Sequence, residues 1–167
     1  ARYPSLAERS LVISSFGKTY HATGWKVGYC LAPEKLSEEF RKVHQFVTYA
    51  VNTPVQHAYA DFMKNNAVYL GLAAFYQEKR DAFARMLQDS RFRLLPCRGT
   101  YFQLADYSAV SEEDDRTFSA RLTREHKVAA IPTSAFYGSP PGQRIVRFCF
   151  AKKEETLKQA AERLCRI

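Results

Sequence analysis

No apolar run in this sequence approaches the about 18 residues that a membrane-crossing helix needs. The opening segment, ARYPSLAERS, has neither the apolar stretch nor the small-residue cleavage site of a secretion signal. Both absences predict a soluble chain with no membrane partner. Cysteine is sparse: Cys30, Cys97, Cys149 and Cys165 show no close pairing and no metal-type spacing, and each stands among apolar neighbours. They are expected to be buried, reduced thiols, which favours the cytoplasm. His21, His44, His57 and His126 also lack ligand spacing, so no metal is expected. Glycine and proline number 7 each in 167 residues, too few for collagen-like or low-complexity chain. There is no zinc-finger spacing, no aromatic–basic RNA-binding motif, no basic run and no internal repeat. The formal charge of +8 is therefore not read as a nucleic-acid footprint, because most basic residues alternate with acids in EKLSEEFRK and KKEETLKQAAER, as on solvated helix surfaces.

What is present is ordinary globular composition, 46% hydrophobic and 25% charged. A compact body of this mass buries about 70% of its extended surface. Short β-prone runs at 11–14 and 27–32 flank a polar loop, SSFGKTYHATG. Pro33 suits a first helical turn, and Leu36, Phe40, Val43 and Val47 recur at the helical period, predicting an amphipathic helix over 34–49. Thr53 is expected to cap a helix with Pro54 at its first position, running to about residue 64, and a long helix follows over 68–89. Beyond it come strands at 92–95, 100–104, 128–131 and 145–150. Ser111 and Asp114 suit a capping box ahead of Phe118 and Leu122, and a last helix carries Leu157, Ala161 and Leu164 on one side. The fold class is α/β in two lobes, with the change of texture between residues 67 and 90. A parallel sheet needs cover on both faces and more than the two strands visible in the first lobe, so the sequence is expected to be the C-terminal portion of a larger protein.

Residues 14–29, SSFGKTYHATGWKVGY, are the densest chemistry in the chain. An isolated loop lysine is ordinarily solvated surface. Here Lys18 and Lys26 stand among hydroxyls, glycines and the aromatics Phe16, Tyr20 and Trp25, company that suits a lysine partly withdrawn from water. A free lysine amine, with a pKa near 10.4, is neutral about one part in a thousand at neutral pH; attack on a carbonyl requires about 4 kcal/mol of help from apolar cover and a nearby cation. Lys26 is placed to be that cation and to neutralise a phosphate, with the Ser14 and Ser15 hydroxyls and the Gly17 amide as donors. An amine at one end and an oxyanion site at the other suggest an aldehyde cofactor that carries phosphate.

The run SFGKTYHATGWKVGYCLAP resembles the cofactor-lysine motif of the fold-type-I, class-I pyridoxal-phosphate aminotransferases, closest to the branch of kynurenine aminotransferase, glutamine transaminase K and bacterial methionine aminotransferase. VHQF with NTPVQ, LPCRGTYF with DYSAVS, VAAIP, and IVRFCFAKKEETLKQAAERL continue the likeness in the same order, over essentially the whole chain. The resemblance implies that residues 1–75 end the large cofactor-binding domain of the aspartate aminotransferase-like fold and that 76–167 form its small α/β domain. It makes Lys18 the catalytic lysine that binds pyridoxal 5′-phosphate as a Schiff base, with Ser15 and Lys26 as phosphate ligands. Lys26 stands where the wider class has arginine, keeping the charge without the bidentate fork.

Arg147 matches the arginine that holds the substrate α-carboxylate. Its independent case is that it interrupts an apolar strand on the face shared with Ile145 and Cys149, where a guanidinium needs an anionic partner; a structural ion pair with a helix carboxylate is the competing explanation. Tyr101, Phe136 and Tyr137 are candidates for lining the substrate pocket, against a plain core role. Tyr49 and Asn52 are candidates for reaching a second subunit's site, since the family forms homodimers with composite sites, against a helix-terminus role. The implied activity is amino-group transfer between an L-amino acid, methionine, aromatic or glutamine-like, and a 2-oxo acid. Cysteine-S-conjugate β-lyase chemistry is the close alternative, and a non-catalytic domain of the same fold is an alternative of another class. The family's partners for the cofactor ring precede the lysine and are not among these 167 residues, so this chain alone is expected to show no appreciable transamination.

Overall fold

A computed structural model describes residues 2–167. The chain separates into two compact units, the first ending at Leu72 and the second spanning Ala73–Ile167. No helix among the described residues is long and apolar enough to cross a membrane.

In the first unit a short helix α1 (Pro4–Ala7) precedes strand β1 (Val12–Ser15). Helix α2 (Phe16–Thr19) and a single 3₁₀ turn (Thr23–Trp25) lead into β2 (Gly28–Leu31), and helices α3 (Glu34–Val47), α4 (Thr53–Phe62) and α5 (Ala67–Leu70) follow. β1 and β2 pair antiparallel, Val12 opposite Leu31 and Ser15 opposite Gly28. The antiparallel pairing follows from the connection at 16–27, which is spent in two single turns that reverse the chain, with no crossover helix. α3 lies where the 3.6-residue spacing predicts it and Ser37 ties its first turn to the Ala32 carbonyl at 3.0 Å. α4 is capped by Asn52, not Thr53, because the amide oxygen of Asn52 accepts from Val55 N–H at 3.1 Å, the reach an N-cap side chain has.

The predicted single helix over 68–89 is broken at Gly71, a poor helix former, into α5 and α6 (Leu72–Met86). The second unit then forms a four-stranded antiparallel sheet in the order β3-β4-β6-β5 from Arg93–Leu94, Phe102–Asp106, Ile145–Cys149 and Ile131–Pro132. α7 (Asp115–Arg124) and α8 (Glu154–Leu164) complete it. Asp114 alone caps α7, accepting from Arg116 and Thr117 N–H at 3.0 Å, while the Ser111 hydroxyl is occupied with Glu113; the predicted Ser111 cap does not form. The predicted strand at 128–131 shrinks to two residues because Lys127 adopts a left-handed backbone, φ 57, and Val128 N–H is held by the Leu122 carbonyl.

One core cluster, including Phe83, Leu87, Phe118, Leu122, Val146, Phe148 and Leu164, lies in this second unit. Leu157, Ala161 and Leu164 bury the predicted face of α8. The cysteines are free, as expected, but none is buried: Cys30 and Cys97 are half-buried, while Cys149 and Cys165 are exposed. Cys149 lies on the strand face opposite Val146 and Phe148, and Cys165 falls off the Leu157–Leu164 stripe, so neither is drawn into the core.

Candidate active site

Lys18 sits on α2, where the sequence suggests a loop. Ser15 leaves β1 in extended conformation and its hydroxyl accepts from Gly17 N–H at 3.2 Å, capping a single helical turn. The turn closes with Tyr20 N–H on the Phe16 carbonyl and Ala22 N–H on the Gly17 carbonyl, both at 3.0 Å. Phe16 N–H then returns to the Val27 carbonyl at 3.2 Å, so the ladder that pairs Ser15 with Gly28 carries the whole segment. Lys26 holds a left-handed backbone, φ 54, just before the buried Val27. Two glycines allow this fold-back. A Cβ on Gly17 would meet Thr23 Cα at 2.9 Å, and one on Gly28 would meet the Ser14 carbonyl oxygen at 2.5 Å. Ser15, Lys18 and Lys26 are thereby gathered at one end of the β1–β2 pair, all three exposed.

The aromatics do something other than the sequence suggests. Phe16, Tyr20 and Trp25 turn their rings to Tyr59 of α4, with centroids at 4.8, 5.8 and 5.2 Å. Tyr20 also meets Phe62 edge-on at 5.6 Å. Burial among these rings raises the Tyr20 phenol above its ordinary value, with Tyr69 and then Tyr29 adding to the effect. They anchor the lysine turn from behind and leave Lys18 exposed, which corrects the expectation that they cover its amine. Tyr59, 3% exposed, is the contact of this segment that the sequence does not single out, because it stands in a helix with little amphipathic signal.

In the second unit Arg147 is on β6, the strand between β4 and β5, opposite both Leu104 and Ile131. Val146 and Phe148 point into the core, which puts Arg147 on the other face. Its guanidinium lies 4.6 Å from the Phe102 ring centroid and 4.9 Å from that of Phe136. Among the described residues no carboxylate is within ion-pair distance of it, so the competing helix ion pair is not formed. Arg147 also borders a cavity of about 320 Å³ whose lining includes Lys127, Lys152 and Arg163 and no carboxylate. The Phe136 contact is visible in the sequence only as an aromatic in SAFY.

Tyr101 is half-buried just ahead of β4; its carbonyl accepts from Phe150 N–H at 3.0 Å, and its ring meets Phe102 edge-on at 5.7 Å. Phe136 and Tyr137 are 62% and 53% exposed. Tyr49 is exposed on a left-handed backbone, φ 65, and the Asn52 side chain is spent on its cap. His21 and His57 are exposed, while His126 is half-buried with its Nε2 unpartnered; among the described residues no three metal-ligating side chains cluster.

Comparison with known proteins bears on this arrangement. Residues 1–164 match the family described as aminotransferase class I and II. The chain is 56% identical to methionine aminotransferase of Escherichia coli (strain K12), covering 97% of this chain and 42% of that protein. Human kynurenine–oxoglutarate transaminase 1 is 33% identical, with 98% of this chain and 44% of that protein covered. Among solved structures, an Escherichia coli protein described as having a methionine aminotransferase function superposes with a TM-score of 0.94 at 55% identity, over 99% of this chain and 44% of that one. The N-succinyldiaminopimelate aminotransferase of Mycobacterium tuberculosis superposes at 0.89 with 34% identity, over 98% and 43%. The chain thus spans less than half the length of these relatives. With its mixed α/β fold superposing throughout on theirs and the family pattern running from end to end, the chain belongs to the class I and II aminotransferases.

Proposed function

We propose that the protein to which this chain belongs is a pyridoxal-phosphate-dependent aminotransferase that moves an amino group between an L-amino acid, methionine or an aromatic or glutamine-like one, and a 2-oxo acid. Residues 1–75 are read as the end of its cofactor-binding domain and 76–167 as its small domain, in a cytoplasmic homodimer. The observation that carries the proposal is that one segment, folded back at the end of the β1–β2 pair, carries Ser15, Lys18 and Lys26, all three exposed.

The donor set fits the cofactor. Gly17 and Gly28 let the segment fold closely on its own backbone, and a hydroxyl with an ammonium suits a phosphate while a second ammonium suits an aldehyde. Lys26 and Ser15 would hold the phosphate and Lys18 the aldehyde carbon. When bound, pyridoxal phosphate supplies an electron-withdrawing ring that stabilises negative charge at the substrate α-carbon. Lys18 Nζ, once free, would be the base that takes the substrate α-proton and then the acid that delivers it to the cofactor carbon that had carried the aldehyde. Arg147 receives the α-carboxylate, its guanidinium lying by the Phe102 and Phe136 rings and paired with no carboxylate among the described residues.

Borohydride reduction of the full-length enzyme followed by peptide mapping tests this. A phosphopyridoxyl group on the Lys18 peptide, absent from Lys18→Ala, is the expected result; an adduct confined to other lysines, or none at all, overturns the assignment.

A further inference from the structure

Lys18 belongs to a helix of four residues, far too short to hold its own orientation in water. Something outside α2 must decide which way its side chain leaves the backbone. Phe16 and Tyr20 are four residues apart and so share one face of the turn; their ring centroids are 6.0 Å apart. Lys18 is two residues from each, half a turn round the axis, and it is exposed. On the face opposite Lys18, Tyr29 meets Phe16 alone at 5.2 Å and Phe62 and Tyr69 meet Tyr20 alone at 5.6 and 6.5 Å, whereas one ring meets both. Tyr59 stacks on Phe16 at 4.8 Å and 29°, meets Tyr20 at 5.8 Å, and touches Trp25 of the following turn at 5.2 Å. It is the one buried residue of α4, and among the described residues nothing pairs with its hydroxyl. What the residue supplies to α2 is therefore its ring.

We infer that Tyr59 is a positioning residue for Lys18: by seating Phe16 and Tyr20 together on its ring it fixes the rotation of the lysine turn and aims the amine away from α4. The inference rests on the proposed role of Lys18 as the cofactor lysine. A turn rotated by one residue would swing Lys18 through about 100°. Tyr59 makes no contact with substrate or cofactor in this account and acts only through α2.

The test uses the full-length enzyme with Tyr59→Leu, Tyr59→Trp and Tyr59→Phe, and Phe118→Leu in the second unit's core as a control for lost stability. In the apoenzyme, brief acetylation with acetic anhydride and mass mapping give the labelling of Lys18 relative to Lys153. In the holoenzyme, kcat, KM and the pH dependence of the cofactor's visible absorbance are recorded. Tyr59→Leu is expected to change the Lys18 labelling ratio by about threefold or more, move the absorbance titration, and lower kcat by about tenfold to a hundredfold with KM within about twofold, the loss typical of a misplaced catalytic group. Tyr59→Trp, which keeps a ring but enlarges it, is expected to move the same readouts if the leucine variant does not fold. Tyr59→Phe is expected to match the unmutated enzyme, because it keeps the ring. Equal effects in Tyr59→Leu and Phe118→Leu at matched melting temperature, or an unchanged labelling ratio in both Tyr59→Leu and Tyr59→Trp, would overturn the inference. Should the unmutated enzyme yield no cofactor adduct on Lys18, the cofactor role fails, while the apoenzyme labelling ratios still decide whether Tyr59 aims the amine.

Discussion

Asp106 ends β4 beside two donors, Ser108 N–H at 2.8 Å and the Arg93 guanidinium across the β3–β4 ladder. Bonding to Ser108 first, and to Arg93 next, pulls its carboxyl down to about 2. Because the folded value lies below the unfolded one near 4, the stabilisation is present above about pH 4 and is lost as pH falls toward 2. Urea midpoints measured across that range are expected to fall for the unmutated protein and to flatten in Asp106→Asn. Tyr107 shows the opposite sign. Its phenol is buried, stacks on Phe118 at 4.0 Å and donates to the Glu113 carbonyl at 2.8 Å; burial first, then Asp115 and Asp114, pushes it up to about 12. The stabilisation is complete below about pH 10 and disappears as pH rises through the folded value. Tyr107→Phe is expected to cost about 1 kcal/mol at neutral pH, read from denaturant midpoints. Neither role was legible in the sequence, where Tyr107-Ser108 reads as a turn: burial of Tyr107 depends on α7, which arrives from later in the chain. On the proposed carboxylate role of Arg147, Phe136→Ala in the full-length enzyme is expected to remove one of two cation–π contacts, worth about 1 kcal/mol, and to raise KM for the amino acid about fivefold with little change in kcat.

At the scale of elements, α3 stands within two residues of where the spacing predicts it and α8 buries the predicted face of Leu157, Ala161 and Leu164, while the caps of α4 and α7 moved by one and three residues. The moves have local causes. Asn52 reaches an N–H three residues on while Thr53 is already the first helical residue, so Asn52→Ala is expected to lower stability by about 1 kcal/mol in thermal unfolding. The lysine segment resisted reading because a four-residue helix has no periodicity to detect; it exists through the Ser15 cap, two glycine close approaches and packing on a helix some forty residues later. Gly28→Ala tests that dependence. Its Cβ would stand 2.5 Å from the Ser14 carbonyl oxygen, a backbone atom with nowhere to go, so the β1–β2 register has to distort. The variant is expected to lose about 1–3 kcal/mol in thermal unfolding and, beyond that, to lower the yield of the Lys18 adduct.

Across the whole molecule burial is uneven. Among the described residues, Val27 and Tyr59 alone of the buried apolar side chains precede Leu72, whereas the second unit holds a continuous cluster. α3 buries nothing, and its apolar side presents Phe46 at 86% and Val47 at 78% exposure; Ile13 on β1 is 76% exposed. Apolar surface of this extent binds hydrophobic dyes and drives association. The 167-residue chain prepared alone is expected to bind 1-anilinonaphthalene-8-sulfonate and to protect amides of β4, β6 and α8 from hydrogen exchange far more than those of β1 and β2. Equal protection of both sets, with no dye binding, would contradict this.

The residue order by itself determined the α/β class, the amphipathic helices and the chemical character of the lysine turn, because period, caps and side-chain type are local properties that need no knowledge of what lies across the fold. Tertiary structure alone decided that β1 and β2 run antiparallel, that Phe16, Tyr20 and Trp25 close on Tyr59 and leave Lys18 open, and that Arg147 rests between two rings. Those outcomes depend on which distant side chains meet, and packing between segments far apart in sequence leaves no period for the eye to find.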